Sequence, residues 1–461
     1  MNIFGMVLDI LLIGFANFVL ANSFFELKKN KNWILYYVFY FLFIIPVLLD
    51  RVYKFPAYDT GFRYGYVLMG TDPIVTVLYD IVIGFIIFGF YYFLAIKFKE
   101  QKPKSNEKFI NNPILKMILF AGSVLPIAMF IVACLVSKRS PTLILDLGWK
   151  YKYESGQLGP EIFSYSAIER LTYIGVTCSL LLIASVDYKK TFFKPNTRED
   201  TKRLVLTIVL LLVLVISLGV NILLEGKRSI YLFAGIVFFT VIYYKVFGRI
   251  KPWIAIVSFA AFAVIAVFAV VFLGDAFRSA SAYGKGFTDY KYTSLRIDFF
   301  RDQSLKLVIY SLIHSQEIKV LSFPMQSYLT EIFYLFPIVY LPIPFKRGYE
   351  TYLTATYSFI DATSLDSMRI TNSGLDELCA NFSFFGVLIY VLILIWLFKI
   401  MNKASDDWNV LIFVGFVLFM MYTTSYVCWY YEFLIGLIVV IKLMDVLKKK
   451  KEANVYAETA K

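Results

Sequence analysis

One stretch of the chain places polar groups at helical spacing just ahead of an apolar run: Asn372-Ser373-Gly374-Leu375-Asp376-Glu377-Leu378-Cys379-Ala380-Asn381. Ser373, Glu377 and Asn381 stand at i, i+4 and i+8, so they share one face of a helix. A carboxylate on such a face can take or orient the proton of an attacking hydroxyl, and the serine and asparagine would line the same polar wall. Ser373 and Asp376 also read as a capping box, which explains that pair without chemistry. Capping leaves Glu377 and Asn381 unexplained, and a cavity wall suits them better.

Two cationic groups could supply the complementary chemistry. The first is the tight turn Glu225-Gly226-Lys227-Arg228-Ser229 between two apolar runs. There Arg228 could grip phosphate oxygens bidentately and Lys227 could add a point charge; the structural alternative is snorkelling to ordinary lipid headgroups. The second group opens a long polar connection with Gly274, Asp275, Arg278, Lys285, Arg296 and Arg301. Together these cations could stabilise a diphosphate leaving group by preorganised charge, although Asp275, Asp298 and Asp302 lie close enough in sequence to pair with them. His314, the only histidine, follows the helix-like run Leu305 to Ile313. It suits either a base or a structural hydrogen bond.

The elements that must position these groups are set by composition. Of 461 residues, 59% are apolar, 19% aromatic and 17% charged, against roughly 25% charged in soluble domains. The net charge of +13 in so apolar a chain points to basic loops and ends framing membrane spans, with no nucleic-acid partner. Four cysteines without a CxxC spacing and a single histidine exclude a zinc ribbon, an HExxH site and a disulfide framework, so neither metal nor cofactor is expected. The absence of a D-x-D pair in the outer loops and of a P-loop speaks against metal-dependent nucleotide-sugar transfer and ATP-driven pumping.

A span needs about 20 mostly apolar residues. About eleven runs qualify on that length: 3–25, 33–49, 74–96, 114–136, 168–186, 204–224, 230–247, 253–273, 384–400, 410–427 and 430–447. Placing the run Lys448-Lys449-Lys450-Lys451 in the cytoplasm puts more than half of the lysines and arginines on that side, so the N-terminus is expected outside and the C-terminus inside. The expected divisions are spans one to eight over 1–273, a large outer loop over 274–383, spans nine to eleven over 384–447, and a basic cytoplasmic tail over 448–461. Within the loop, Leu321 to Phe345 is apolar but carries Pro324, Pro337, Pro342, Pro344 and Glu331, and reads as an interfacial or re-entrant element. The spans are nearly free of charge: Asp80 lies within the third run, Asp9 near the outer part of the first and Glu432 near the outer start of the last.

This pattern resembles the bacterial O-antigen and capsule repeat-unit polymerases, the Wzy family. The likeness rests on topology over most of the chain and on three stretches: Gly226-Lys227-Arg228-Ser229, Phe299-Phe300-Arg301-Asp302-Gln303-Ser304-Leu305, and Ser373 to Phe382 ending near Gly386. Gln303 is followed directly by Ser304, where the family often has an intervening glycine. The resemblance implies an all-α polytopic integral membrane protein with a class C, lipid-donor glycosyltransferase fold, in a bacterial inner or plasma membrane. It implies transfer of a growing glycan from undecaprenyl diphosphate to the non-reducing end of a new lipid-linked repeat unit. A chain-length co-polymerase and a flippase would be its partners. Lys227, Arg228, Arg278, Arg296 and Arg301 would meet the diphosphate, with Arg228 close to the reacting bond. Glu377, then His314, would handle the acceptor's proton, and Ser373 and Asn381 would line the acceptor side. The rivals are an O-antigen ligase of the same fold and a flippase or permease for the lipid-linked repeat.

Overall fold

In the computed structural model of this chain, the structure describes residues 3–48, 72–100, 113–145, 165–186, 198–225, 228–246, 301–335, 348–358, 372–422 and 430–443, with isolated helical positions between 253 and 264 and at 446. Among the described residues all regular structure is helical. Among the described residues, five helices are long and apolar enough to cross a membrane: Phe4–Glu26, Lys31–Leu48, Pro73–Lys97, Pro113–Val136 and Leu204–Leu224. Shorter apolar helices cover Arg170–Ser185, Phe385–Met401 and Trp408–Met421.

Exposure shows what surrounds them. Along the third of these helices Ile74, Ile81, Phe85, Phe88, Tyr92 and Ile96 are all exposed, and Phe385, Leu388, Leu392 and Trp396 repeat the pattern later in the chain. Both series step by three, four or seven residues, so each forms one continuous apolar stripe. Stripes of that length facing outward suit lipid and not water. The chain is an all-α membrane protein.

It divides into two compact units, 1–106 with 227–427 and 107–226 with 428–461. The smaller unit holds α4 (Pro113–Val136), α5 (Tyr165–Ser185) and α6 (Arg198–Glu225), with α5 packed on both others. Small residues make those contacts close, as membrane helices require. A Cβ at Gly175 would collide with the Asn221 amide, which donates to the Ser123 carbonyl at 2.9 Å.

The larger unit begins with α1 (Ile3–Glu26), α2 (Lys31–Leu48) and α3 (Pro73–Lys97). Buried Trp33, Tyr36, Tyr37, Phe39 and Phe43 make α2 an interior helix. Pro46 has no N–H to give the Leu42 carbonyl four residues earlier, and the preceding turn, Tyr40–Ile44, is π-helical. At the start of α3, Asp72 caps the helix by accepting from Ile74 N at 2.8 Å, with Pro73 preset in the first turn.

The same unit continues with α7 (Arg228–Val246), then four short helices: α8 (Asp302–Ile313), α9 (Gln326–Leu335), α10 (Tyr349–Ser358) and α11 (Gly374–Phe382). It closes with α12 (Phe385–Met401) and α13 (Asp406–Met421). The segment expected as an interfacial or re-entrant element contains α9, a helix of 10 residues; 336–345 lie outside the described residues.

Candidate functional site

The polar block before α12 folds as its spacing predicts. Ser373 is the N-cap of α11 and its hydroxyl accepts from Asp376 N at 3.3 Å. In return the Asp376 carboxylate accepts from the Ser373 backbone N–H at 2.6 Å and from the Ser373 hydroxyl. Tyr349 on α10 adds a third donor at 3.0 Å. Burial pushes the Asp376 carboxyl up to about 7, since those three bonds only partly replace water and neighbouring Glu377 adds like charge.

One turn further on, Glu377 and Asn381 are both buried and meet a partner from another helix. Ser327, in the first turn of α9, donates to Glu377 Oε1 at 2.7 Å. Asn381 Nδ2 donates to the Ser327 hydroxyl at 2.8 Å and to the Glu377 carbonyl at 2.8 Å. The carboxylate, hydroxyl and amide thus form a relay joining α9 to α11. Nearby, the rings of Tyr328 and Phe382 stack with centroids 5.9 Å apart.

Two glycines allow this crowding. A Cβ at Gly374 would strike the ring of Phe419 on α13, and one at Gly386 would strike the backbone of Leu378 and Cys379. Between α11 and α12 the chain reverses through Ser383, whose φ of 55° is left-handed.

Arg301 occupies the interior of the larger unit. Its side chain is fully buried, and Nε and Nη2 both donate to the Met421 carbonyl, at 3.0 and 2.7 Å. That carbonyl ends α13, where helix acceptors lack partners and the dipole favours a cation. The backbone N–H of Arg301 donates to the Leu42 carbonyl at 3.1 Å, the acceptor that Pro46 cannot serve. One residue therefore fixes α2, α8 and α13 together.

His314 forms the C-cap of α8. Its Nε2 lies 3.0 Å from Asp72 Oδ2, and its ring lies 4.3 Å from that of Tyr310. Burial pushes the Asp72 carboxyl up, but the bond to His314, the N–H groups of Ile74 and Val75 and the histidine's charge together hold it below the usual range. Lys306 bridges to Asp302 at 3.2 Å and lies 4.9 Å from the Tyr79 ring centre.

Of the residues singled out from sequence, Ser373, Glu377 and Asn381 come together on α11, while Arg301 and His314 sit at opposite ends of α8. Arg228 opens α7, and only its backbone is described. Lys227, Arg278 and Arg296 lie outside the described residues. The sequence reading missed Ser327, Tyr349 and Asp72. Only Asp72 carried a local signal, an aspartate and proline opening an apolar run.

Among the described residues, no three of His, Cys, Asp and Glu stand close enough to hold a metal ion. No family model, curated protein or solved structure matches the chain.

Proposed function

We propose that this protein is a lipid-donor glycosyltransferase that polymerises repeat units, moving a growing glycan from undecaprenyl diphosphate onto the non-reducing end of a new lipid-linked oligosaccharide. The observation carrying this reading is the buried relay of Glu377, Ser327 and Asn381, built on short helices inside an otherwise apolar membrane protein. A buried carboxylate and amide are costly unless they serve a partner or a fold, and hydroxyl-rich sugars offer matching donors. Arg228 at the first turn of α7 supports the reading from the donor side, since helix N-termini and arginines both favour phosphate.

In this proposal about eleven spans, an outer N-terminus and a cytoplasmic tail place the short helices on the outer face of a bacterial plasma membrane. Lys227, Arg228, Arg278 and Arg296 face the diphosphate. The acceptor's proton goes to Glu377 or His314. No cofactor is invoked.

The test is reconstitution in vesicles with undecaprenyl-diphosphate-linked repeats, read as a ladder of chain lengths. Elongation supports the reading. Transfer only to a lipid A acceptor favours a ligase, and movement of the substrate across the bilayer without elongation favours a flippase; either would replace this proposal.

A further inference from the structure

Of the two candidates for the acceptor's proton, the geometry points to His314, and we propose that Asp72 holds its imidazole in the tautomer that works as a base. The inference rests on the glycosyltransferase reading above and deepens it.

Asp72 is fixed before it meets the ring. Its Oδ1 accepts from Ile74 N at 2.8 Å and Val75 N at 3.4 Å, so Oδ2 points at His314 with little freedom. An ionised carboxylate only accepts, so Nε2 carries a proton in this pair, and when the ring is neutral that is its only one. Nδ1 then carries the lone pair. Among the described residues nothing bonds Nδ1, and the side chain is one-third exposed. The ring plane is set by Tyr310, and the backbone of His314 is pinned by its N–H to Tyr310 O at 2.9 Å and by Glu317 N to its own carbonyl at 2.9 Å. Glu377, by contrast, is 1% exposed.

In the proposed step the acceptor hydroxyl gives its proton to His314 Nδ1 as its oxygen bonds the anomeric carbon of the donor. The bond from that carbon to the phosphate oxygen breaks, and the electron pair leaves on undecaprenyl diphosphate. His314 is then the catalytic residue and Asp72 the positioning residue. Among the described residues, the other ionisable groups acting on this site are Tyr310 and Glu317.

A single histidine makes the tautomer directly observable. Protein labelled with ¹⁵N-histidine and purified on a histidine-free tag gives the spectrum of one imidazole. At a pH where the ring is neutral, the wild type should show the Nε2–H tautomer. Asp72→Asn keeps the helix cap but can donate to Nε2, and should shift the ring toward Nδ1–H. In the vesicle assay the same variant should lose turnover by roughly 10²–10⁴-fold with KM nearly unchanged, and His314→Gln should lose as much. An Nδ1–H wild type, or a tautomer indifferent to Asp72→Asn, overturns the inference by itself. If the wild type elongates and both variants match it, the dyad is structural, while the polymerase reading survives. If the wild type never elongates, that reading fails and the base role fails with it, whatever the spectrum.

Discussion

Gly386→Ala tests how tightly α12 is seated on α11. The added Cβ would lie 2.6 Å from Cys379 N and closer still to the carbonyl of Leu378, where ordinary contact begins near 3.4 Å. All these atoms are backbone, so no side chain can turn aside and the two helices must part by about 1 Å, at an overpacking cost of about 2–3 kcal/mol. Alanine returns about 1 kcal/mol of helix propensity, leaving a net loss of about 1–2 kcal/mol. The displaced segment carries Glu377 and Asn381 on either side of Cys379, and under the proposed function, where they line the acceptor side, a shift of that size should cost about 10²-fold in rate. Thermal unfolding in detergent, read by tryptophan fluorescence, measures the first effect, and chain elongation in vesicles the second. Gly219→Ala is the control, because a Cβ there meets nothing within 4 Å; it should leave stability equal or slightly raised. If Gly386→Ala melts with the wild type and elongates normally, the close approach of α11 and α12 is not what positions the relay.

Arg301→Lys keeps the charge but loses the two-donor grip on the Met421 carbonyl; it should cost about 1.5–3 kcal/mol and lower the yield of folded protein before it alters KM. Ser327→Ala leaves the Glu377 carboxylate and the Asn381 amide without their shared partner, so about 1–3 kcal/mol should be lost in the same unfolding assay. The raised carboxyl of Asp376 makes the folded state bind more protons than the unfolded one between about pH 4 and about pH 7, so stability should fall as pH rises through that window. Asp376→Asn should flatten that slope, as a pH series of melting curves would show. Asp72→Ala should cost about 1 kcal/mol more than Asp72→Asn, because only asparagine preserves the cap of α3.

Hydropathy alone located most of the helices: α1, α3 and α4 begin and end within a few residues of the apolar runs that predict them. Local chemistry was equally legible on α11, where the capping box and the shared face of Glu377 and Asn381 follow from spacing. What spacing could not show is which groups meet across the fold. Ser327 is 50 residues from Glu377 and lies in a stretch whose prolines dominate its reading. Asp72 is 242 residues from His314, and its local pattern announces only a helix start. From sequence Arg301 reads as one of a cationic set suited to a diphosphate, with pairing to the neighbouring aspartates as the alternative. In the structure its guanidinium donates to a main-chain carbonyl, a group every residue possesses and no sequence pattern marks.

The bond from Arg301 N–H to the Leu42 carbonyl also bears on how the protein is made. Leu42 is made well before Arg301, so its partner is added only after a long intervening stretch of chain. At typical elongation rates of about 5–20 residues per second the interval from Pro46 to Arg301 is about 10–50 s. Throughout that time α2, rich in aromatics that end up buried, must be held without the helix that completes it. α2 therefore completes its packing only when α8 docks, well after α2 itself has been made.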